Sequence, residues 1–235
     1  IYGTDAEAGT IYLQQYIGNE TSFDLDGNQV VLHVSGDYTV TGTVTLSVEA
    51  ENKFTLALRK PGWSSQLDID SEADLTRSIR EDAPGFTFLD LPAGKTELKL
   101  DFNMQAQFVQ ANPAIRADRG LVALTRGPLV YCLEVLDNGV NLWSLVVDPC
   151  NEAFLTETQL DELSGYVAVN VEGWREDFPE WPADTLYLPV GEQNPQLTNT
   201  KIRFLPYALW QNRGKSKTDA ATPGEMKVWI RSKQK

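Results

Sequence analysis

The sequence predicts an all-β protein made of two consecutive antiparallel β-sandwich domains, and three observations carry this prediction. Short runs rich in Val, Thr, Leu, Tyr and Phe recur about every 8 to 12 residues, a spacing typical of sandwiches and barrels. Several runs alternate apolar with polar residues, as expected of a strand with one buried and one solvated face. Clusters of Gly, Asn, Asp and Pro separate the runs and predict turns.

The clearest alternation lies in the first half of the chain. The apolar residues that share one face of TVTLSVEA are Val44, Leu46, Val48 and Ala50. The corresponding residues of FTLALR are Phe54, Leu56 and Leu58. YLQQYIG and VVLHV are shorter strand candidates, and the turn-forming clusters between the runs fall at 26–28, 35–37, 51–52 and 92–94.

Three segments interrupt the strand pattern. Residues 70–82 are a helix candidate, although their few apolar residues favour a surface turn or loop. Residues 156–165 are a second helix candidate, with Gly165 placed to end it. In GLVALTRGPLVYCLE, residues 120–134, Pro128 has no amide to donate and Gly127 tolerates a kink, so we predict a bulge or an edge position there.

A domain boundary is expected near residue 105. The segment TELKLDFNM completes an alternating strand with Leu98, Leu100 and Phe102, and a different pattern begins after Asn112 and Pro113. We therefore predict a first sandwich over 1–105 and a second over 106–235, sizes that suit this architecture.

Composition and charge argue against several partners. The net charge of −13 speaks against nucleic acid, because a polyanion is bound through clustered Lys and Arg. No apolar run approaches the roughly 18 residues that cross a bilayer, so no membrane partner is expected. The last 35 residues hold 9 basic and 2 acidic side chains. We interpret them as a solvated basic end, with contact to an acidic surface as the alternative.

Candidate nucleophiles and metal ligands are few. His33 is the only histidine, and the alternation of VVLHV predicts an ordinary strand residue. Cys132 and Cys150 lie 18 residues apart, which is not a zinc-knuckle spacing, and whether they pair stays open. Cys132 is predicted to be a small buried side chain of a strand.

Carboxylates and tryptophans have a structural and a functional interpretation. A glycosidase needs two carboxyl groups about 5 to 10 Å apart. The pairs that could supply them are Asp24 with Asp26 and Asp68 with Asp70, but their turn-like surroundings favour hydrated acids. A calcium ion held by Asp24, Asp26 and Asn28 is an alternative, without the EF-hand spacing. The tryptophans near loops or strand ends, which suit either sugar stacking or core packing, are Trp63, Trp174, Trp181 and Trp210.

Four blocks of the chain carry a family resemblance. They are TIYLQQYIGNE (10–20), FTLALRKPGW (54–63), ANPAIRADRGLVALTRGPLVYCLE (111–134) and IRFLPYALWQNRGKSKTDAATPGEMKVWIR (202–231). In this order they resemble glycoside hydrolase family 127, whose founding members are bacterial β-L-arabinofuranosidases. Residues 64–85 and 150–200 match only loosely.

The resemblance implies where the chemistry of such a protein lies. The family places a cysteine nucleophile, beside a zinc held by further cysteines and a glutamate, in an N-terminal (α/α)6 barrel that two β-sandwich domains follow. The chain is therefore expected to begin just after that active site. Cys132 and Cys150 do not match the catalytic cysteines, so no catalytic, cofactor-binding or metal-binding residue is assigned here. Zinc would belong to the catalytic domain.

Three functional interpretations follow. The first is the non-catalytic C-terminal β-sandwich region of a family 127-like hydrolase, inactive alone, with the catalytic barrel as its partner. The second is a carbohydrate-binding module for plant-type glycans. The third is a structural domain that mediates a homo-oligomer through an apolar surface.

Overall fold

The computed structural model describes residues 1–150, 155–160, 165–178, 181–212 and 224–233. The chain divides into two compact units, Ile1–Met104 and Gln105–Lys235. Both units are built from strands, so the all-β prediction is confirmed. No helix among the described residues is long and apolar enough to span a lipid bilayer.

The first unit is a sandwich of two five-stranded sheets. Its strands are β1 (Tyr2–Asp5), β2 (Thr10–Leu13), β3 (Asn19–Leu25), β4 (Asn28–Ser35), β5 (Thr43–Ala50), β6 (Phe54–Arg59), β7 (Asp68–Asp70), β8 (Thr76–Ile79), β9 (Phe86–Leu91) and β10 (Gly94–Asp101). One sheet has the order β1-β2-β6-β9-β8 and the other β3-β4-β5-β10-β7. All pairings in them are antiparallel except that of β2 with β6.

The predicted alternation places the core between these sheets. Leu46 of β5 lies opposite Leu98 of β10 in one sheet, and Leu56 of β6 lies opposite Leu89 of β9 in the other. All four side chains are buried in one cluster. Because successive side chains of a strand point to opposite faces, each sheet supplies one apolar layer of this core.

The second unit contains a single sheet that closes on itself. Its strands are β11 (Ala106–Val109), β12 (Leu121–Arg126), β13 (Leu129–Glu134), β14 (Leu145–Val147), β15 (Leu155–Gln159), β16 (Val167–Asp177), β17 (Gln196–Pro206), β18 (Met226–Lys227) and β19 (Ile230–Ser232). A short helix, α1 (Val135–Asn138), and three 3-10 turns, Arg116–Asp118, Leu142–Ser144 and Tyr207–Leu209, complete the part that the structure describes.

Hydrogen-bonded pairing runs from β12 through β19, β14, β16, β17 and β13 back to β12. This ring is barrel-like, and its interior is filled by apolar side chains such as Leu145, Val171 and Phe204. The remaining described strands attach outside the ring, β11 to β12, β15 to β16 and β18 to β13. The pairing of β14 with β19 is parallel.

Each of the two helix candidates contains a strand, and neither contains a helix, where the structure describes it. Residues 70–82 include β8, an edge strand whose four side chains are all exposed, so no apolar period marks it in the sequence. Residues 156–159 belong to β15, which pairs along the first half of β16. The favoured expectation of a turn or loop for 70–82 holds at 71–75 and 80–82 and is wrong at β8. The helix prediction for 156–165 is wrong over 156–159, and residues 161–164 lie outside the described part of the chain.

Candidate functional site

The segment GLVALTRGPLVYCLE folds as a β-hairpin. Its strands, β12 and β13, pair at Thr125 with Val130 and at Arg126 with Leu129, leaving a two-residue loop. Gly127 has a φ of 56°, as the first residue of a primed hairpin turn requires. The prediction of a bulge or an edge position is wrong, because the break is a tight turn between two paired strands.

The ionisable side chains of this hairpin bind neighbouring strands. Arg126 is buried, and its Nε donates a hydrogen bond of 2.9 Å to Oε1 of Glu157 on β15. The hydroxyl of Tyr131 donates to the carbonyl of Val167 at 2.9 Å. Burial raises the pKa of Tyr131 to about 12, although the Arg126 guanidinium opposes the shift. These contacts hold β12, β13, β15 and β16 together.

The two cysteines form no disulfide bond with each other and lie in different surroundings. Cys132 is fully buried on β13 opposite Leu205, whereas Cys150 is exposed. Among the described residues, no group of three or more His, Cys, Asp or Glu side chains converges as metal ligands would. In its packed position Cys132 acts as a small apolar side chain of the barrel wall.

The acidic pairs and the histidine lie on strands and turns of the first unit. Oδ1 of Asp24 accepts the amide of Gly27 at 2.7 Å, which stabilises the turn between β3 and β4. Asp68 and Asp70 are exposed on the edge strand β7. His33 lies on the exposed face of β4, with Ser47 opposite on β5. The structure does not gather these groups into one cleft.

The four tryptophans singled out from the sequence have different environments. Trp63 packs at 5.9 Å from the fully buried Phe102, so it extends the core of the first unit. Trp210 stacks on Tyr207 at 6.4 Å. Trp174 lies under the ammonium of Lys233, and Trp181 is exposed on a loop.

A fifth tryptophan, Trp143, lies at the most distinctive polar cluster of the second unit. It is 63% exposed, and Nζ of Lys227 lies 3.2 Å from its ring centroid. Lys227 itself is 7% exposed, and its Nζ has no hydrogen-bond partner among the described residues. Beside it, Arg231 forms an ion pair with Glu176. The sequence feature that could have identified Trp143 as an exposed aromatic residue is its position in NGVNLW, directly after turn-forming residues.

Lys227 is the ionisable group of this cluster whose titration affects folding. Burial lowers its pKa to about 8, and the Arg231 guanidinium acts in the same direction while Glu225 opposes it. Between about pH 8 and 10.5 the unfolded chain therefore holds this proton more tightly than the folded chain does. The contribution of Lys227 to the free energy of unfolding is lowest below pH 8, where both the folded and the unfolded chain hold the proton. It rises with pH between about 8 and 10.5.

Replacing Lys227 by methionine tests this interpretation. The unfolding free energy of the native chain should rise relative to that of Lys227→Met between about pH 8 and 10, because only the native chain carries the buried ammonium. Urea unfolding at several pH values measures the difference, with exposed Lys201→Met controlling for the lost charge. A difference that is constant with pH would show that Lys227 is not buried as described.

Two family models match this chain. The model described as "Beta-L-arabinofuranosidase, GH127 middle domain" matches residues 10–104, and that described as "Glycoside hydrolase family 127 C-terminal domain" matches residues 106–231. A curated relative, the non-reducing end β-L-arabinofuranosidase of Bifidobacterium longum subsp. longum, is 32% identical over 238 residues. The match covers 97% of this chain but 34% of the relative, so the chain spans about a third of that protein.

Solved structures give the same assignment. A GH127 β-L-arabinofuranosidase from Geobacillus stearothermophilus T6 matches with a TM-score of 0.81 and 32% identity, over 99% of this chain and 35% of that one. A second solved glycoside hydrolase matches with a TM-score of 0.72 and 25% identity, over 99% and 37%. This chain therefore belongs to glycoside hydrolase family 127 and consists of that family's middle and C-terminal domains.

Proposed function

We propose that this chain is the non-catalytic β-sandwich region of a glycoside hydrolase that resembles β-L-arabinofuranosidases. The observation that carries the proposal is the identity of the matching models: a middle domain and a C-terminal domain together account for nearly the whole chain. The curated relative is about three times as long as the matched region. The region supports a catalytic barrel, which holds the reacting groups and any zinc.

The outward face of one sheet in the first unit supports this role. Leu89 and Leu91 of β9 point into the core, so Phe86 and Phe88 point away from it. Tyr12 of β2 meets these two rings at centroid distances of 5.5 and 6.0 Å, and the Arg80 guanidinium covers Phe88 at 4.0 Å. Phe88 is only 1% exposed beneath these groups, whereas Phe86 and Tyr12 are half-buried, so their remaining aromatic surface is what another part of a longer protein would cover.

The curated Bifidobacterium relative allows a test of the supporting role. Removing the region that matches this chain should cost the remaining polypeptide most of its soluble yield and its arabinofuranosidase activity, because the surface it packs against becomes exposed. Soluble yield, thermal midpoint and turnover of an arabinofuranoside are the measurements. A chimera carrying this chain in place of the removed region should recover part of the loss.

A destabilised version of the chain is the matched control for that chimera. The same chimera with Gly173→Val in this chain should not recover activity, because that change disrupts the second unit. A truncated relative that stays soluble, thermally stable and fully active would contradict the proposed role. In that case, a homo-oligomer formed through the aromatic face becomes the better account.

A further inference from the structure

A groove crosses the outer surface of the second unit where β14, β16 and β19 lie side by side. Leu145 and Val147 point into the barrel interior, so Val146 points outward and forms part of the groove floor. The groove consists of two adjoining depressions of about 620 and 310 Å³, which share Trp143, Glu176 and Arg231. Such volumes fall in the range of about 300 to 1,000 Å³ usual for small-molecule sites.

Exposed aromatic rings form one wall of this groove. Lys227 covers one face of the Trp143 indole, so the 63% exposure of this residue belongs to the opposite face and the ring edge. Phe178, in the smaller depression, is 55% exposed. Large exposed aromatic side chains that line a concave surface indicate a binding site, because each ring presents an apolar plane to a ligand. The C–H face of a sugar ring is a complementary plane.

The charges of the groove differ from those of the whole chain. Although the chain has a net charge of −13, the groove is lined by the cations of Arg119, Arg231 and Lys233. Glu176 is the only carboxylate among the described lining residues, and Arg231 already pairs with it. An anionic ligand would therefore meet a net positive surface. Nε and Nη2 of Arg119 donate to the carbonyl of Pro113 at 3.4 Å, which leaves the Nη1 side of this guanidinium to donate to a carboxylate.

We propose that this groove binds acidic oligosaccharides, with Trp143 stacking on a sugar ring and Arg119 and Lys233 pairing with uronate carboxylates. The proposal goes beyond the proposed supporting role and does not depend on it. A neutral glycan would use the aromatic wall but gain nothing from the cations. A long nucleic acid would meet the acidic remainder of the chain.

Calorimetric titration of the full chain with a galacturonic acid tetramer tests the proposal, and a galactose tetramer is the neutral counterpart. We expect the uronate tetramer to bind with a Kd on the order of 1 mM or tighter and the neutral tetramer to bind about tenfold more weakly. Added salt should weaken the uronate binding, because the paired charges are exposed. Equal affinity for both tetramers, or no uronate binding at millimolar concentrations, would overturn the proposal.

Three variants locate the binding. Trp143→Ala should weaken uronate binding about tenfold or more, and Arg119→Gln, an exposed change that leaves packing intact, should weaken it severalfold. Trp181→Ala is the control, because Trp181 is also exposed but does not line the groove. Uronate binding that survives both groove variants, or that falls equally in the control, would place the ligand elsewhere and reject this site.

Discussion

Replacing Gly173 by valine is expected to destabilise the second unit by about 3 kcal/mol, a large part of the stability of an ordinary domain. Gly173 lies on β16, where β14 replaces β15 as the neighbouring strand. A Cβ atom there would lie 2.6 Å from the carbonyl oxygen of Val146 and 2.7 Å from Cδ1 of Ile202. A side-chain rotation cannot relieve contact with a backbone oxygen, so the strands must separate.

Urea unfolding of the variant and the native chain measures this effect. Gly62→Val is the matched control, because nothing lies within 4 Å of a Cβ built at Gly62 and its φ is ordinary. The control should change the unfolding free energy by no more than about 0.5 kcal/mol. A Gly173→Val protein as stable as the native chain would mean that β14 and β16 do not pack as described.

The parts of the fold that follow from local pattern were predictable from the sequence. The alternation of Val44, Leu46 and Val48 fixed one face of β5, and all three side chains are buried. The same reasoning placed Leu98 and Leu100 in the core. Period-two patterns of this kind identify strands because the other face of the sheet is in water.

Edge strands and long-range pairing were not predictable in this way. An exposed edge strand such as β8 needs no apolar residues, so the pattern that marks a strand is missing. The closure of the barrel-like ring depends on pairs far apart in the chain, such as Cys132 with Leu205. The two-residue loop at Gly127 became recognisable as a hairpin turn only when its flanking strands were seen to pair.

The candidate groove was only partly predictable from the sequence. Aromatic residues near strand ends indicate a sugar-binding surface, but the four tryptophans that this pattern selects do not include Trp143. Lys227 looked like an ordinary basic residue near the end of the chain, and only the pairing of β18 with β13 buries it under that indole. The sequence shows that the last 35 residues are basic. It does not show that Arg231 and Lys233 lie near Arg119, because that proximity depends on the tertiary structure.

We propose that this chain supports glycoside hydrolysis without performing it. Cys132 is fully buried, and the chain matches the models of the middle and C-terminal domains of its family. Because enzymes accelerate reactions by about a millionfold or more, a chain without a reaction centre should differ from the active relative by many orders of magnitude in rate. Loss of activity is therefore the largest effect predicted for this chain.

The decisive assay is hydrolysis of a chromogenic β-L-arabinofuranoside by the purified chain, with the full-length Bifidobacterium relative as the positive control. We expect a rate indistinguishable from that of the buffer, with and without added zinc, while the relative hydrolyses the substrate. Turnover that copurifies with the chain and disappears in Cys132→Ser would show that the chain is itself an enzyme and would identify the buried thiol as a nucleophile.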